Sequence, residues 1–507
     1  MSSVNNKRIA KNTFYLYLRM LFVMGIGLYT VRAILDILGV VDYGIYNVVG
    51  GVVTMFAFMN KTLSTSSQRY FSVALAKNDR EDLKRVFSLN LTVFFILGAI
   101  VVFLLETVGL WFVNNKMTIP PERMMAANVV YQLSILAMIF HIVVIPYMAL
   151  VIAHEKMNIF AIIGVVEAVG KLGIVFLLAV ISYDKLIVYA ILVLLLSAGT
   201  SMWYVVYCLK HYPESHFRWY WNKKEAVELL GFSGWHFVGT FSTTCRSQGI
   251  NILLNLFFNP AINAARAVAY QVYNAAHQLV TNFFTAVKPQ IYKSYASGRS
   301  EELYKLVMRS SLLSMYLISL VIFPLIAGAE FVLGLWLKEV PPYTIIFVQL
   351  VLLNGLIDSV DAPLSATALS TGRIRKYEIA VSSVILANIP ISYLALKLGC
   401  NPEITMVISI ILSCLDVFVR TLMLKGMMNF PMKKYMILFA KVLLVSVVLT
   451  YVSKYVLYGS VNCFLRLIVV SLGLIVFQTV LYAFITDKSD RMAVMSFLKS
   501  KLKFKHK

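Results

Sequence analysis

Charge is scarce in this chain: Asp, Glu, Lys and Arg make up 14% of 507 residues, against 60% apolar residues and a mean hydropathy of +0.78. Such a composition excludes an ordinary soluble domain. Cysteine is also scarce. Its five residues show no CxxC spacing and lie mostly in or beside apolar runs, so neither a disulfide framework nor a cysteine metal site is implied. Acidic residues number only 24 against 46 basic ones, a formal charge of +22. The basic residues sit in short gaps such as "AKNDREDLKR", "TGRIRKYE" and the tail "KSKLKFKHK". That placement indicates retention on the cytoplasmic side of a membrane and excludes nucleic acid as a partner. No small-residue cleavage site follows the first apolar run, so "MSSVNNKRIAKN" leads into a retained span. Ser/His/Asp and phosphate-loop patterns are missing too, which leaves enzymatic chemistry without a foundation.

What the chain does have is apolar windows of about 20 residues, each long enough to cross a bilayer. They predict about fourteen helices, near 13–37, 43–68, 87–110, 125–152, 159–181, 186–208, 227–256, 262–289, 310–331, 343–369, 379–396, 404–424, 436–457 and 464–486. With the N-terminus cytoplasmic, about 29 Lys and Arg fall in inner segments and about 5 in outer loops, which places both termini inside. Every outer loop is short, leaving no room for a catalytic domain beyond the membrane.

The chain also repeats itself at an offset of about 220 residues. "AKNDREDLKRV" (76–86) aligns with "ASGRSEELYKL" (296–306), "GLW" at 109–111 recurs at 334–336, and "YQLSILAMIFHIVVIPYMAL" (131–150) aligns with "VQLVLLNGLIDSVDAPLSAT" (348–367). The expected fold is an all-α polytopic membrane protein. Two parallel six-helix repeats, related by a pseudo-two-fold axis along the membrane normal, flank a central cavity, and two extra C-terminal helices follow. The repeats occupy 1–208 and 227–424, joined by a basic, aromatic interfacial linker at 209–226. The extra helices fill 425–486, and 487–507 is a basic cytoplasmic tail.

Polar side chains inside spans are costly and mark a bundle interior or a watery path. In the eighth span Asn263, Arg266, Tyr270, Asn274, His277, Thr281, Thr285 and Lys288 follow at steps of three or four, one stripe along a helix. In the second span Asn47, Thr54, Lys61 and Gln68 recur every seven residues, and the repeat offset carries the last three onto Asn274, Thr281 and Lys288. The seventh span adds Gln248, Asn251 and Asn255, with Arg246 on a neighbouring side. Arg19 and Arg32 in the first span lie about 20 Å apart along a helix axis. Two readings stand for them: snorkelling to the two interfaces, or facing a cavity with Lys61, Arg246, Arg266 and Lys288, a cationic surface suited to phosphate oxygens. Asp358 and Asp361 sit three apart in the tenth span, either as a proton or sodium site coupled to transport or as internal partners of the arginines. No other cofactor or metal is expected. Glu167 and Lys171 have the spacing of a structural ion pair.

The runs "RIAKNTFYLYLRM…YTVRAIL…LGVVDYGIYNVVGGVV", "QRYFSVALAKND", "QGINILLNLFFNPAINAARAVAYQV…PQIYKSYASG", "GLWL…VPPYT" and "LID…PL" resemble bacterial oligosaccharide flippases of the polysaccharide-transport family, across most of 8–378. That family belongs to the superfamily of multidrug, oligosaccharidyl-lipid and polysaccharide exporters. The resemblance implies a non-enzymatic transporter of the bacterial cytoplasmic membrane. Its cargo would be an undecaprenyl-diphosphate-linked oligosaccharide, moved to the outer leaflet by alternating access for O-antigen (lipopolysaccharide), capsule or exopolysaccharide assembly. A polymerase and chain-length machinery would be its partners. Within the matching runs it points to Arg19, Arg32, Arg69 and Arg266 as diphosphate-binding arginines. The alternatives are a cation-coupled multidrug exporter of the same superfamily, which calls for a more acidic cavity, and a membrane-embedded polymerase or acyltransferase, which calls for an outer loop or a catalytic cluster.

Overall fold

The computed structural model describes residues 3–54, 57–77, 79–116, 119–258, 260–337, 340–453 and 464–485. Among these residues the regular structure is helical and no strand occurs. Nine of the described helical stretches are long and apolar enough to cross a membrane, making this a multi-pass membrane protein. Helices are what such windows must form, because inside a bilayer each backbone N–H and C=O has to bond within its own segment.

The first helix, α1 (Ser3–Thr54), is two helices joined at Gly39, whose φ of 75° is one that a side chain would resist. After it come α2 (Ala57–Lys77) and α3 (Arg80–Leu104), the latter opened by Asp79, whose carboxylate accepts from the Asp82 N–H. A π-helical turn at Leu105–Gly109 leads into α4 (Leu110–Lys116), and the Tyr131 hydroxyl donates to the Leu105 carbonyl there at 2.8 Å. The order continues with α5 (Met124–Ala153), α6 (Met157–Val180), α7 (Lys185–His211), α8 (Lys223–Phe257), α9 (Pro260–Ala296), α10 (Ser300–Ala327) and α11 (Ala329–Trp336). It ends with α12 (Thr344–Asp358), α13 (Asp361–Ser370), α14 (Arg375–Lys397), α15 (Ile404–Met428), α16 (Met432–Tyr451) and α17 (Phe464–Ile485).

The expected span over 343–369 is found as Thr344–Ser370, with a turn at Ser359 and Val360 that divides it into α12 and α13. Pro363 explains the position, since a proline is tolerated in the first turn of a helix but not in its interior. The expected span over 43–68 corresponds to the end of α1 and the start of α2, and 55–56 lie outside the described residues.

The residues group into two units: Met1–Thr240 with Thr285–Leu303 and Gly372–Arg375, and Phe241–Phe284 with Tyr304–Thr371 and Lys376–Lys507. In the first, α1 lies along α6, α5 along α7, and α2 against α3 and α5. Phe94, Tyr131 and Ile135 centre one core, and Phe71, Phe87 and Tyr147 another. In the second, α15 packs on α12, α13 and α16, with α17 outside α16. Only 11% of the apolar window of α17 is buried, which leaves its side chains to lipid. Lipid tails are as apolar as leucine, so contact geometry rather than water exclusion holds such helices together.

At the start of α5, Arg123 bridges two carboxylates. It lies 2.5 Å from Asp42 and 2.7 Å from Asp184, the residue that also caps α7. The hydrogen bond from Arg123 holds the Asp184 carboxyl below its ordinary value, against the opposing effect of burial. A depressed value means stability that is present above the unfolded carboxylate pKa, about 3.9, and lost as pH falls through the folded one. Arg123→Ala is therefore expected to cost about 1 kcal/mol near neutral pH, because the pair is partly exposed. Comparing thermal midpoints of the two proteins at neutral and acid pH tests this. A deficit that persists undiminished at about pH 3 would contradict it.

The linker ends are tied down. Arg218 N–H donates to Ser88 Oγ at 3.2 Å, and Tyr220 and Asn222 both donate to Glu225. Beside these ties Phe217, Trp219 and Trp221 are exposed at alternate positions, rings suited to a membrane interface.

Candidate functional site

The polar residues predicted for a pathway fall into groups within each unit. The side chains of Arg32, Asn47, Thr54, Lys61, Asn255 and Asn263 lie outside the described residues.

In the second unit α9 carries a ladder. The Arg266 guanidinium donates to the Asn251 side-chain carbonyl on α8 and lies 4.5 Å from the centre of the Tyr270 ring. Arg266 is only 3% exposed, and its Nε–H has no hydrogen-bond partner among the described residues. Asn251 in turn donates its amide N–H to Gln248 Oε1 at 3.2 Å. Tyr270 meets Tyr273 edge-on at 6.1 Å, Tyr273 meets His277 at 5.1 Å, and Thr281 lies 3.3 Å from His277 Nδ1. Asn274 and Thr281 are exposed. The helical step of three to four residues is what lines these groups up. Gly355 of α12 admits the Tyr273 ring, which a Cβ there would strike.

A second group surrounds the break between α12 and α13. Asp358 accepts from Asn354 at 2.7 Å, and Asn354 accepts from Ser413 of α15 at 3.1 Å. Arg420 of α15 lies 2.6 Å from Asp416 and 3.4 Å from Asp361, and donates to the Tyr377 hydroxyl of α14 at 2.8 Å. Arg246 of α8 is attracted electrostatically by Asp358 and Asp361. Of the two readings of the carboxylate pair, the structure supplies the arginine partners. The reading from sequence had not found Asp416, Arg420 or Tyr377. A signal was present, for Asp416 and Arg420 share the i, i+4 spacing of Glu167 and Lys171, whose own pair closes at 2.8 Å.

In the first unit the polar run of α2 is buried. Gln68 bonds Ser64 at 3.0 Å, Ser66 bonds Ser233 at 3.0 Å, and Thr65 accepts from Lys288 of α9 at 3.1 Å. Arg69 lies 4.8 Å from the rings of both Tyr70 and Phe232. Arg19 points to α6, its guanidinium 4.5 Å from the Phe160 ring and against Gly164, where any Cβ would collide with it.

A densely bonded charge outside the predicted residues lies in the first unit. Glu155, in the turn between α5 and α6, is held at φ 60° with its carboxylate side chain 1% exposed. It receives Arg8 at 2.8 Å and Lys293 at 2.6 Å, and Gln290 donates at 2.5 Å. Its own carbonyl accepts from Asn12 at 3.1 Å. A lone glutamate in a basic turn gives no periodic signal, so only the fold reveals it.

Solved structures share this architecture. A multidrug resistance MATE family transporter of the MOP superfamily, outward-facing, matches with a TM-score of 0.71 at 13% identity, over 84% of this chain and 97% of its own. A MATE in the straight conformation gives 0.70 at 13% identity, with 84% and 97% covered. The eukaryotic MATE transporter AtDTX14 gives 0.63 at 14% identity, with 85% and 100% covered. At these identities the likeness is one of fold. Comparison with curated proteins by sequence gave no match. Residues 9–295, more than half of the chain, match the family model described as polysaccharide biosynthesis protein. The chain belongs to the polysaccharide biosynthesis protein family.

Proposed function

We propose that this protein is a flippase that carries an undecaprenyl-diphosphate-linked oligosaccharide from the inner to the outer leaflet of a bacterial cytoplasmic membrane, for surface polysaccharide assembly. Family membership over 9–295 supports a role in polysaccharide synthesis. The observation that carries the reading further is Arg266, a permanent cation buried within α9 whose Nε–H has no partner among the described residues. A guanidinium keeps its charge at any physiological pH, and its fork matches phosphate oxygens. Asn251 and Tyr270 hold it in place, so little ordering remains to be done when an anion arrives. The membrane potential helps: moving a doubly negative diphosphate outward gains about 4–5 kcal/mol at about 100 mV. A cation-coupled multidrug exporter is the rival reading, supported by the fold shared with MATE structures.

The test is reconstitution in liposomes with a polyprenyl-diphosphate oligosaccharide, followed by scoring its accessibility to a sugar-cleaving enzyme added outside. Protein-dependent transfer between leaflets supports the flippase. Lack of transfer together with efflux of a cationic dye from the same vesicles would replace it with the exporter. Deletion in the native host gives a second readout, with intermediate trapped on the cytoplasmic face and surface glycan lost.

A further inference from the structure

Three carboxylates sit together inside the second unit: Asp358 at the end of α12, Asp361 at the start of α13 and Asp416 on α15. Carboxylates at such depth are expensive unless neutralised, and a transporter can supply the missing charge in two ways. It can borrow a cation from solution, which makes that ion a coupling ion. Or it can carry the cation on its own chain.

The geometry answers for the second. Arg420 projects from the same helix as Asp416, one turn on, with its Nε 2.6 Å from Asp416 Oδ2 and 3.4 Å from Asp361 Oδ1. Its Nη1 donates to the Tyr377 hydroxyl at 2.8 Å. The Arg420 side chain is 8% exposed and that of Asp416 7%, while Asp361 is 34% exposed and so holds the open side of the group. Asp358 has an amide from Asn354, and Arg246 faces both Asp358 and Asp361 electrostatically. Arg420 thus bridges two of the three carboxylates directly, and Arg246 attracts Asp358 and Asp361.

We propose that Arg420 is a built-in counter-cation that fills the carboxylate group of the second unit, so that this group takes no sodium ion during transport. The inference deepens the transporter reading above, and it concerns coupling rather than cargo. The physical reason is competition. A guanidinium tethered one helical turn from Asp416 is never diluted and never deprotonated. A sodium ion would have to displace two carboxylate contacts and strand the arginine in a buried site, a penalty that a singly charged ion does not recover. Removing Arg420 takes away the cation that Asp416 and Asp361 share. Asp416 Oδ1, which has no hydrogen-bond partner among the described residues, then stands beside Oδ2 as a ready ligand.

The experiment compares thermal unfolding of the purified full-length protein in sodium chloride and in choline chloride at equal ionic strength. It is run at about pH 9 so that a proton does not substitute for the metal ion. Wild type is expected to show the same midpoint in both salts. Arg420→Gln is expected to be less stable in choline chloride and to recover saturably with sodium, by about 1–3 °C. Arg420→Lys, which keeps the charge, and the Asp416→Asn/Arg420→Gln double variant, which removes the Asp416 charge together with the arginine, should both ignore sodium. A saturable, sodium-specific rise in wild type overturns the proposal. So does a folded Arg420→Gln protein that responds to the two salts alike. If Arg420→Gln gives no folded protein in either salt, wild type and Arg420→Lys decide: a sodium shift in either overturns it and indifference in both supports it. None of these readouts uses a lipid-linked sugar. Failure of the flippase assay with sodium indifference intact would remove the cargo and leave Arg420 in its role.

Discussion

Glu155→Ala is expected to yield far less folded protein than wild type, with a loss of about 3–5 kcal/mol, the cost of breaking a buried charge group from one side. The carboxylate is the acceptor for Arg8, Gln290 and Lys293 together. Those donors come from the start of α1 and the end of α9, so one side chain fastens both to the α5–α6 turn. Alanine would leave the Lys293 ammonium, 19% exposed, without its anion. Glu155→Gln keeps the shape and loses the charge, and should fall between the two. Glu155→Gly is a sharper control. The φ of 60° costs a non-glycine residue about 1 kcal/mol, so glycine should recover roughly that much relative to alanine. Thermal midpoints and yield of monodisperse protein in detergent report all three. An alanine variant as stable as wild type would show that the node holds nothing.

Arg266→Ala is expected to slow leaflet transfer about 10–100-fold at equal amounts of reconstituted protein, the range set by losing one or two charge-assisted hydrogen bonds. Arg266→Lys keeps the charge but not the fork, and should recover only part of the rate. Lys288→Ala should lose less, because Lys288 donates to Thr65 within the first unit while Arg266 has an N–H without a partner among the described residues. A comparison of transfer rates across liposomes, normalised to inserted protein, separates these cases. If Arg266→Ala transfers at the wild-type rate, the diphosphate is held elsewhere and Arg266 serves only to join α8 to α9 through Asn251.

Some of this was open to reading from the chain. The ladder on α9 was visible because a helix converts sequence spacing into a shared face, and Tyr270, His277 and Thr281 needed nothing beyond their steps of three and four. The break at Ser359 was not read, although Pro363 announced it, because the hydropathy of 343–369 runs straight across the interruption. Arg19 was read as facing either an interface or a cavity. The structure lays it on Phe160, an arrangement that depends on Gly164 of another helix lacking a side chain.

By itself the sequence determined that this protein lives in a membrane and is built of helices. An apolar run in lipid has one way to satisfy its backbone within a single segment, so local composition is enough. Which charges meet was decided only by tertiary structure. Asp361 and Arg420 are 59 residues apart, Glu155 and Lys293 138 apart, and each pairing arises because packed helices bring two turns to one depth. Spacing along a chain carries no record of that approach, since it is set by the summed contacts of whole helix faces.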